Sequence, residues 1–348
     1  MEYARLIDGA ADVVADALAG RTHGISVSTS GSTGEPVEVQ LSADALRASA
    51  RATAERLGGE GHWLLALPTD RIAGAMVLVR SSLAGGALSG VGPGPFTSGA
   101  FVDAAHRLPS GSPRFTALVP TQLQRVLASD EGRDALTSFD AVLVGGAALA
   151  GHDMPANIVR TYGMTETAGG CVYDGKPIGD TQVELREDGR VLIATSSLAD
   201  GYSPENPDAW ETVNGTRWLV TSDLGAWTTG GRLSILGRVD DVITTGGFKV
   251  HPRTVERAVE GATGVAEAAV VGSPDPQWGQ VVVTFIVPTD RENLTRLWDL
   301  RKELEHALPR HALPSELVAV EALPRLASGK VNYRALRAIA ADFERNAR

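Results

Sequence analysis

A stretch of hydroxyl and glycine residues near the N-terminus is the first part of the sequence that could do chemistry. Ser28–Gly34 consists of Ser, Thr and Gly residues, and Glu35 and Pro36 follow it. Glycine lets backbone N–H groups turn towards an anion, and the hydroxyls add further donors. This composition favours a polyphosphate ligand, although a flexible Ser/Gly loop has the same composition. No Gly-Lys-Ser/Thr follows, so the stretch is not a Walker A loop.

Two further stretches carry side chains suited to a nucleotide. In the first, Tyr162 can stack on a base, Thr165 can bond a phosphate, and Glu166 can hold Mg²⁺. The alternative is a helix N-terminus at which Thr165 and Glu166 only cap the helix. In the second stretch, Asp223 follows a predicted strand and can accept both hydroxyls of a ribose. Asp-Leu-Gly is also ordinary turn chemistry, so both interpretations stay open.

Charged residues also occur at two places in the last third of the chain. Gly237–Ile243 contains an arginine and two aspartates, and the glycine-rich stretch Gly246–Val250 follows it. Pro324–Val331 predicts a loop that presents Lys330. Taken alone, the first of these is equally a solvated linker, and the second a solubilising surface charge.

The elements that must position these residues alternate between strand and helix over the first half of the chain. Strands are predicted at residues 24–27, 37–41, 62–67, 115–119, 141–144 and 157–161, and helices at 1–19, 42–57, 72–83 and from 120. This alternation predicts a wound α/β sheet. Thr161–Thr167 is then a turn after the last of these strands.

The second half of the chain changes character twice. From about Thr181, short strands and turns predict a β-rich subdomain. After Asp241, helices at 252–260, 292–307 and from 332 alternate with strands at 267–271, 281–287 and 316–320, which predicts a compact α+β unit. We therefore predict a large mixed α/β N-terminal domain at residues 1–238. A small α+β C-terminal domain is predicted at 239–348, with a hinge at Asp240.

Composition excludes several classes of protein. The 348 residues are 43 % hydrophobic, which is ample for packed cores, and the net charge of -10 argues against nucleic-acid binding. The one cysteine, Cys171, allows no intramolecular disulfide and no cysteine cluster. The N-terminus carries no signal-peptide pattern, and Arg80 interrupts the apolar stretch Ile72–Val91. A soluble cytoplasmic protein without membrane insertion is expected, and a homodimer is left open.

Taken together and in this order, the motifs resemble the signature set of the acyl-adenylate-forming superfamily. This superfamily comprises acyl-CoA synthetases, carrier-loading adenylation domains and luciferases. The resemblance runs from Ser28 to about Leu336. Within the superfamily, Trp63–Pro68, Leu118–Leu123 and Arg160–Gly175 resemble the short, actinobacterial-type 2-succinylbenzoate–CoA ligases of menaquinone biosynthesis. A shortened N-terminus fits that branch, because 27 residues precede Ser28.

The resemblance implies a two-step reaction. A small-molecule carboxylic acid attacks the α-phosphate of ATP, giving acyl-AMP and pyrophosphate, and the thiol of coenzyme A then displaces AMP. It also implies the cofactors and co-substrates ATP, Mg²⁺ and coenzyme A. Lys330 would bridge the attacking carboxylate and the α-phosphate, Thr165 would bond the α-phosphate, and Glu166 would hold Mg²⁺. Asp240 would be the hinge about which the small domain turns between the two steps.

The resemblance implies binding roles for a larger set of residues. Those that would bind ATP or AMP are Thr29, Ser30, Gly31, Ser32, Thr33, Gly34, Gly145, Gly146, Ala147, Tyr162, Gly163, Thr165, Asp223 and Arg238. Those that would bind the acyl group or coenzyme A are Arg71, Gly74, Gly169, Gly170, Gly247 and Lys249.

The sequence departs from the superfamily pattern in two places. Val37 stands where the superfamily usually has lysine, which removes a cation near the departing pyrophosphate and would slow adenylation about ten- to a hundredfold. Asp70 and Arg71 stand where the branch usually has an aromatic or histidine pair. Two interpretations follow. One is an active ligase acting on succinylbenzoate or another aryl or acyl acid, and the other is a homologue that binds nucleotide or acyl group without efficient turnover.

Overall fold

The computed structural model of the chain describes residues 2–6, 10–30, 36–146, 154–290, 295–326 and 330–346. The helices of this part of the chain are α1 (Ala10–Leu18), α2 (Ala43–Leu57), α3 (Ile72–Ala84), α4 (Ser98–His106), α5 (Pro120–Leu127), α6 (Asp130–Thr137), α7 (Pro252–Glu260), α8 (Leu297–Leu304) and α9 (Tyr333–Asn346).

The strands of the same part are β1 (Tyr3–Arg5), β2 (Gly24–Ser30), β3 (Pro36–Ser42), β4 (His62–Leu65), β5 (Leu88–Gly90), β6 (Arg114–Leu118), β7 (Ala141–Val144), β8 (Ile158–Met164), β9 (Gly169–Tyr173), β10 (Lys176–Pro177), β11 (Gln182–Leu185), β12 (Arg190–Ala194), β13 (Gly201–Ser203), β14 (Trp210–Val213), β15 (Thr216–Trp227), β16 (Leu233–Arg238), β17 (Ile243–Thr245), β18 (Phe248–Val250), β19 (Val265–Asp275), β20 (Gly279–Pro288) and β21 (Glu316–Ala319).

A seven-stranded mixed sheet, in the order β10-β9-β8-β7-β6-β4-β5, forms the centre of the large domain. Its strands β5, β4, β6, β7 and β8 run parallel, and β9 and β10 are added antiparallel. Neighbouring residues point to opposite faces, because side chains alternate along a strand. Leu64 and Leu118 pack with α4–α6 on one face, and Trp63 and Phe115 pack with Val77 of α3 on the other. The α/β interpretation is confirmed.

Two smaller sheets complete the large domain. One has the order β1-β2-β3-β13 and packs on α1, α2 and α3 through a core that includes Ile25, Val27 and Leu41. The other joins β11, β12, β15, β14 and β16 in antiparallel pairs, as the β-rich interpretation predicted. The strand β13 belongs to the first of these sheets, so the chain returns there before it completes the second.

The C-terminal residues have hydrophobic clusters of their own. β17–β21 form one sheet, and the two clusters on its faces draw their described members from residues 243–340 alone. Val270 and Ile286 pack towards α7 and α8, while Val271 and Phe285 pack towards Leu336 of α9. This arrangement agrees with a separate unit, although the division at residue 238 stays a prediction.

Several sequence-based boundaries were wrong, and each error has a local cause. Within the predicted helix 1–19 the described helix is Ala10–Leu18, and Tyr3–Arg5 instead pairs in parallel with Gly24–Ser26 as a strand. The predicted helix 292–307 spans Leu297–Leu304, with residues 291–294 outside the described chain. β2 continues through Ser30 because its backbone pairs with β3 up to Pro36, so hydroxyl residues assigned to the loop lie in a strand. Long-range pairing overrode local composition at the strand positions.

Candidate active site

A single cleft of about 2700 Å³ brings together motifs from both halves of the chain. Tyr162, Glu166, Asp223, Arg238 and Lys330 all line it. The carboxyl ends of the parallel strands β7 and β8 face this cleft, which is the usual location of ligand sites in wound sheets. Among the described residues, none of the helices is long and apolar enough to span a membrane.

The hydroxyl-rich motif begins on the hairpin β2–β3. Thr29 is paired with Val37, and its Oγ1 donates a hydrogen bond of 3.2 Å to the carbonyl of Val37. Val27 and Val39, which are buried in the core below, anchor the two strands. The predicted phosphate-binding residues Gly31, Ser32, Thr33 and Gly34 lie outside the described residues, as does Ala147, and the backbone of Ser30 ends β2.

A short 3₁₀ turn after β8 holds Thr165 and Glu166 at the cleft. Thr167 is fully buried, and its hydroxyl accepts from the N–H of Met164 at 3.0 Å and donates to the carbonyl of Gly169 at 2.7 Å. These bonds close the turn, so the two residues before Thr167 have a defined position. Tyr162, expected in the turn, lies within β8 instead, because the strand pairs with β9 as far as Met164.

Tyr202 is a site residue that the sequence analysis missed. Its hydroxyl donates a hydrogen bond of 2.9 Å to Oε1 of Glu166. Burial, together with the neighbouring Glu166 carboxylate, raises the pKa of the Tyr202 phenol far above its usual range, so the phenol stays a donor. Tyr202 reaches this position because β13 pairs with β3 opposite Val39. The residue is 36 positions from Glu166, and nothing in the local sequence marks the contact.

Asp223 and Tyr162 form a second carboxylate–phenol pair. The Tyr162 hydroxyl donates to Oδ2 of Asp223 at 2.8 Å, and Asp223 is the cross-strand partner of Arg238. Asp223 therefore lies inside the long strand β15, next to a bulge at Leu224, and not after a strand as expected. Burial raises the pKa of the Asp223 carboxyl, and the Tyr162 hydrogen bond, Arg238 and Lys330 each oppose that rise.

Lys330 reaches the cleft from the C-terminal unit. A Cβ built on Gly146 would lie 3.9 Å from Cε of Lys330, so the lysine side chain passes close to the loop after β7. Gly146 has a φ of 85°, which only glycine adopts readily, and a Cβ on Gly145 would meet Oγ1 of Thr161 at 2.4 Å. The structure thus brings Lys330 to the same cleft as Asp223, where its charge opposes the rise that burial causes in the pKa of that carboxyl.

The glycines predicted for the acyl and nucleotide regions are required by close backbone packing. A Cβ would lie 2.1 Å from the Pro68 carbonyl at Gly74, 2.0 Å from the Gly169 carbonyl at Gly163, and 2.8 Å from the ring of Tyr173 at Gly170. These contacts are shorter than any van der Waals separation. Each of these glycines has a structural reason, whether or not it also contacts a ligand.

Arg80 is a second residue whose role the sequence analysis did not foresee. It lines the cleft although only 7 % of its surface is exposed, and its Nε has no hydrogen-bond partner among the described residues. The guanidinium lies 5.3 Å from the ring centre of Trp63, and burial lowers its pKa. A Cβ on Gly169 would come within 3.9 Å of Nη2 of Arg80. The signal in the sequence was a charge inside an otherwise apolar stretch.

Arg71 lies at the other end of α3, at the mouth of the cleft. It is exposed, its Nη1 donates to the carbonyl of Ser28 at 3.2 Å, and its Nε lies 3.5 Å from Asp70. Gly247 and Lys249 are exposed and are not among the described residues that line the cleft. The structure therefore does not bring these two residues together with Lys330.

The predicted hinge lies in a 3₁₀ turn between β16 and β17. Asp240 is the middle residue of the turn Val239–Asp241, and its carboxylate lies 3.7 Å from Nη2 of Arg238. Cys171 takes no part in the cleft chemistry. Burial raises the pKa of its thiol to about 12, so it is not a thiolate at neutral pH.

Comparison with known proteins adds a family to this geometry. The model of the AMP-binding enzyme family matches residues 27–199, and that of the AMP-binding enzyme C-terminal domain matches residues 254–330. A probable 2-succinylbenzoate–CoA ligase of Mycobacterium tuberculosis is 43 % identical over 325 residues, which cover 89 % of this chain and 82 % of that protein. The 2-succinylbenzoate–CoA ligase of Enterococcus faecalis is 27 % identical, covering 87 % of this chain and 67 % of that protein.

Solved structures give the same result. The o-succinylbenzoate CoA synthetase of Bacillus subtilis, in complex with its acyl-adenylate intermediate, superposes with a TM-score of 0.73 at 25 % identity. The superposition covers 90 % of this chain and 68 % of that one. ATP-bound MatB of Rhodopseudomonas palustris superposes with a TM-score of 0.77 at 24 % identity, covering 92 % of this chain and 68 % of that one, which supports the fold.

Proposed function

The chain belongs to the AMP-binding enzyme family, and on this basis we propose that it is an ATP-dependent acid–CoA ligase that acts on 2-succinylbenzoate. In the first step, a carboxylate oxygen bonds to the α-phosphorus of ATP while the bond to pyrophosphate breaks. In the second step, the sulfur of coenzyme A bonds to the acyl carbon and AMP leaves. The relatives' names and the similarity of the fold to a solved o-succinylbenzoate CoA synthetase support this reaction class.

Lys330 is the residue that makes the first step feasible. A carboxylate and a phosphate repel each other, and a positioned cation between them offsets that repulsion. Lys330 lies beside Gly146, and both line the cleft together with Thr165. Tyr162, with Asp223 behind it, would contact the nucleoside. The hydroxyl of Thr165 would donate to the α-phosphate.

Glu166 is the carboxylate that would hold Mg²⁺. Magnesium in phosphoryl-transfer sites keeps several waters and binds to one or two carboxylates and the substrate phosphates, so one carboxylate at the cleft fits this demand. The Tyr202 hydroxyl donates a hydrogen bond of 2.9 Å to Oε1, and this bond fixes the orientation of the Glu166 carboxylate. When bound, the metal would neutralise charge on the polyphosphate.

The observation that carries the identity of the acid is the buried guanidinium of Arg80. A cation with an unpartnered donor and 7 % exposure is costly unless a ligand supplies an anion. 2-Succinylbenzoate has two carboxylates, and one remains charged after the other is activated. A guanidinium pairs with such a carboxylate through two hydrogen bonds. Gly169, which has no side chain between Arg80 and the cleft, leaves that approach open.

A matched pair of acids tests this proposal. We expect pyrophosphate release with 2-succinylbenzoate and at least hundredfold lower kcat/KM with 4-oxo-4-phenylbutanoate, which lacks the aromatic carboxylate. The Arg80→Met variant should lose most of that discrimination, because the pairing cation is gone. Equal use of both acids by the wild type would contradict the proposal. Binding of AMP without any acid-dependent pyrophosphate release would favour the homologue without efficient turnover.

The proposal also covers the thioester-forming step, the division into two domains, the cellular location and the oligomeric state. Coenzyme A would reach the acyl carbon after the C-terminal unit turns about Asp240, which brings Gly247 and Lys249 to the cleft. Residues 1–238 and 239–348 would then be the two moving domains. A cytoplasmic location and a homodimer are predictions as well, and light scattering of the purified protein measures the latter.

A further inference from the structure

Arg71 lies beside the neck of the hydroxyl-rich hairpin, by which we mean the end of β2 and the start of β3 around Ser28, Thr29 and Val37. Its Nη1 donates to the carbonyl of Ser28 at 3.2 Å, two residues before the end of β2. Among the described residues, β1 pairs with β2 only as far as Ser26, and Ser28 lies two residues beyond that pairing. The arginine therefore holds the edge of the strand that leads into the predicted phosphate loop.

The described part of the hairpin neck supplies no cation of its own. Thr29 faces Val37 across the pair, and Ser28 faces Glu38, whose carboxylate is paired with Arg5 at 2.8 Å. A neutral and acidic neck is a poor environment for a polyphosphate, which carries several negative charges. Arg71 lines the cleft together with Ser28, Thr29 and Val37, so its charge compensates for this deficit.

The guanidinium has donors left for a ligand. Its contacts with Ser28 and Asp70 engage Nη1 and Nε, and Nη2 has no hydrogen-bond partner among the described residues. An arginine has five N–H donors in a planar fork, which suits two oxygens of one phosphate. Held at two points, the side chain also loses little further conformational freedom when an anion binds.

Arg71 and Arg80 cannot serve the same small anion. They are nine residues apart, Arg71 at the N-cap of α3 and Arg80 in its C-terminal half, and at a rise of about 1.5 Å per residue this is about 13 Å along the helix axis. Arg80 is directed towards Trp63 and Gly169, whereas Arg71 is directed towards Ser28. The two cations therefore face opposite ends of the cleft.

We propose that Arg71 binds the β- and γ-phosphates of ATP and keeps contact with pyrophosphate as it leaves. This proposal rests on the proposed function, because it takes ATP as the substrate at the hairpin. As the bond between the α-phosphorus and the bridging oxygen breaks, that oxygen and its phosphates gain negative charge. A guanidinium beside the neck stabilises this charge more than it stabilises bound ATP, which accelerates the step.

Binding measurements separate this role from a general effect on the site. We expect Arg71→Ala to weaken binding of α,β-methylene-ATP about ten- to a hundredfold, and to leave AMP binding within twofold, because AMP lacks the two phosphates. Retained AMP binding also reports that the variant is folded, and Arg71→Lys should lose less than Arg71→Ala. Arg21→Ala, which removes a similarly exposed arginine outside the cleft, should change neither affinity. Equal loss of both ligands, or loss of neither, would overturn the proposal.

A second variant tests whether the charge itself is what matters. Val37→Lys in the Arg71→Ala background returns a cation to the neck from the opposite strand. The double variant should bind α,β-methylene-ATP at least tenfold more tightly than Arg71→Ala does. An increase in KM for the acid with unchanged affinity for α,β-methylene-ATP would assign Arg71 to the acyl site and overturn the proposal. The measurements of α,β-methylene-ATP and AMP binding contain no acid. Failure of acid-dependent pyrophosphate release in the wild type would therefore count against the proposed function alone.

Discussion

At the scale of single residues, the cleft separates its charges along the expected path of the reaction. Arg71 lies at the hairpin neck, Lys330 beside the loop after β7, and Arg80 at the buried position proposed for the acyl group. Each of the two carboxylates, Glu166 and Asp223, accepts a hydrogen bond from a half-buried tyrosine. A charge that must act on one atom can do so because its neighbours fix its direction.

Lys330 gives the first prediction. Lys330→Ala should lower the rate of acyl-AMP formation at least a hundredfold. The reason is that no other described cation lies beside Gly146, where the two reacting anions would meet. Formation of the thioester from synthetic acyl-AMP and coenzyme A should persist within severalfold. Rapid-quench assays of each half-reaction measure the two rates. Equal loss of both would show that Lys330 does not act in adenylation alone.

At the scale of elements, the antiparallel pair β8–β9 depends on its glycines. A Cβ on Gly163 would lie 2.0 Å from the Gly169 carbonyl, so the two strands could not keep their separation. We expect Gly163→Ala to lower the free energy of unfolding by about 2–4 kcal/mol, measured by urea denaturation. Gly99→Ala in α4, where a Cβ would meet nothing within 4 Å, should have no cost or stabilise by up to about 1 kcal/mol. Similar effects of both substitutions would refute the steric argument.

The helix α7 gives a prediction about pH. Burial raises the pKa of Glu260 from 4.5 to about 7; the charge of Arg253 opposes this rise, and the charge of Glu256 adds to it. Between these two values the folded protein binds a proton that the unfolded chain has lost, so stability falls as the pH rises through that range and then levels off. The Glu260→Gln variant should lack this fall. The difference in free energy of unfolding between the variant and the wild type should therefore be roughly 1–2 kcal/mol more favourable to the variant at pH 8 than at pH 4.5, a range that allows for solvent screening.

Urea midpoints at the two pH values measure this effect. Glu55→Gln removes an exposed carboxylate of α2 and controls for the loss of one negative charge. An unchanged difference between pH 4.5 and pH 8 in the Glu260→Gln variant would mean that another group carries the slope.

At the scale of the whole molecule, the C-terminal unit is held against the large domain by polar contacts. Arg257 of α7 donates to Oγ of Ser234 at 3.2 Å and to the carbonyl of Ile235, both in β16 of the large domain. Contacts of this kind exchange readily with water, and each contributes little to stability. The orientation seen here presents Lys330 to the cleft and leaves Lys249 outside it, as the first half-reaction would require.

The hinge gives the last prediction. Asp240→Pro fixes φ near −65° at the centre of the turn, so it should restrict rotation of the C-terminal unit. We expect pyrophosphate release in the first turnover to persist and thioester formation to fall at least tenfold. A single-turnover assay that follows acyl-AMP and acyl-CoA separately measures both, with Asp240→Ala as the flexible control. If both steps persist in the proline variant, Asp240 is not a hinge in this protein.

The sequence by itself was enough for the class of fold and the class of reaction. Alternating apolar segments predicted the wound sheet, and the order of five motifs from Ser28 to Lys330 predicted an acyl-adenylate-forming ligase, which the family match confirms. The sheet follows from local patterns, because periodicity depends on neighbours along the chain, whereas the reaction class rests on the resemblance of the ordered motifs to a known superfamily. Element boundaries failed where pairing between distant segments decided them, as at Tyr3–Arg5.

Only the tertiary structure decided which side chains meet. Tyr202 reaches Glu166 because β13 returns to the sheet of β2 and β3, and Arg71 reaches Ser28, 43 residues earlier, because α3 begins beside that sheet. The direction of Arg80 follows from the packing of α3 on the central sheet, and in the sequence this arginine was merely a break in an apolar run. Such contacts depend on strand order and helix rotation, which many distant residues fix together and which no local pattern records.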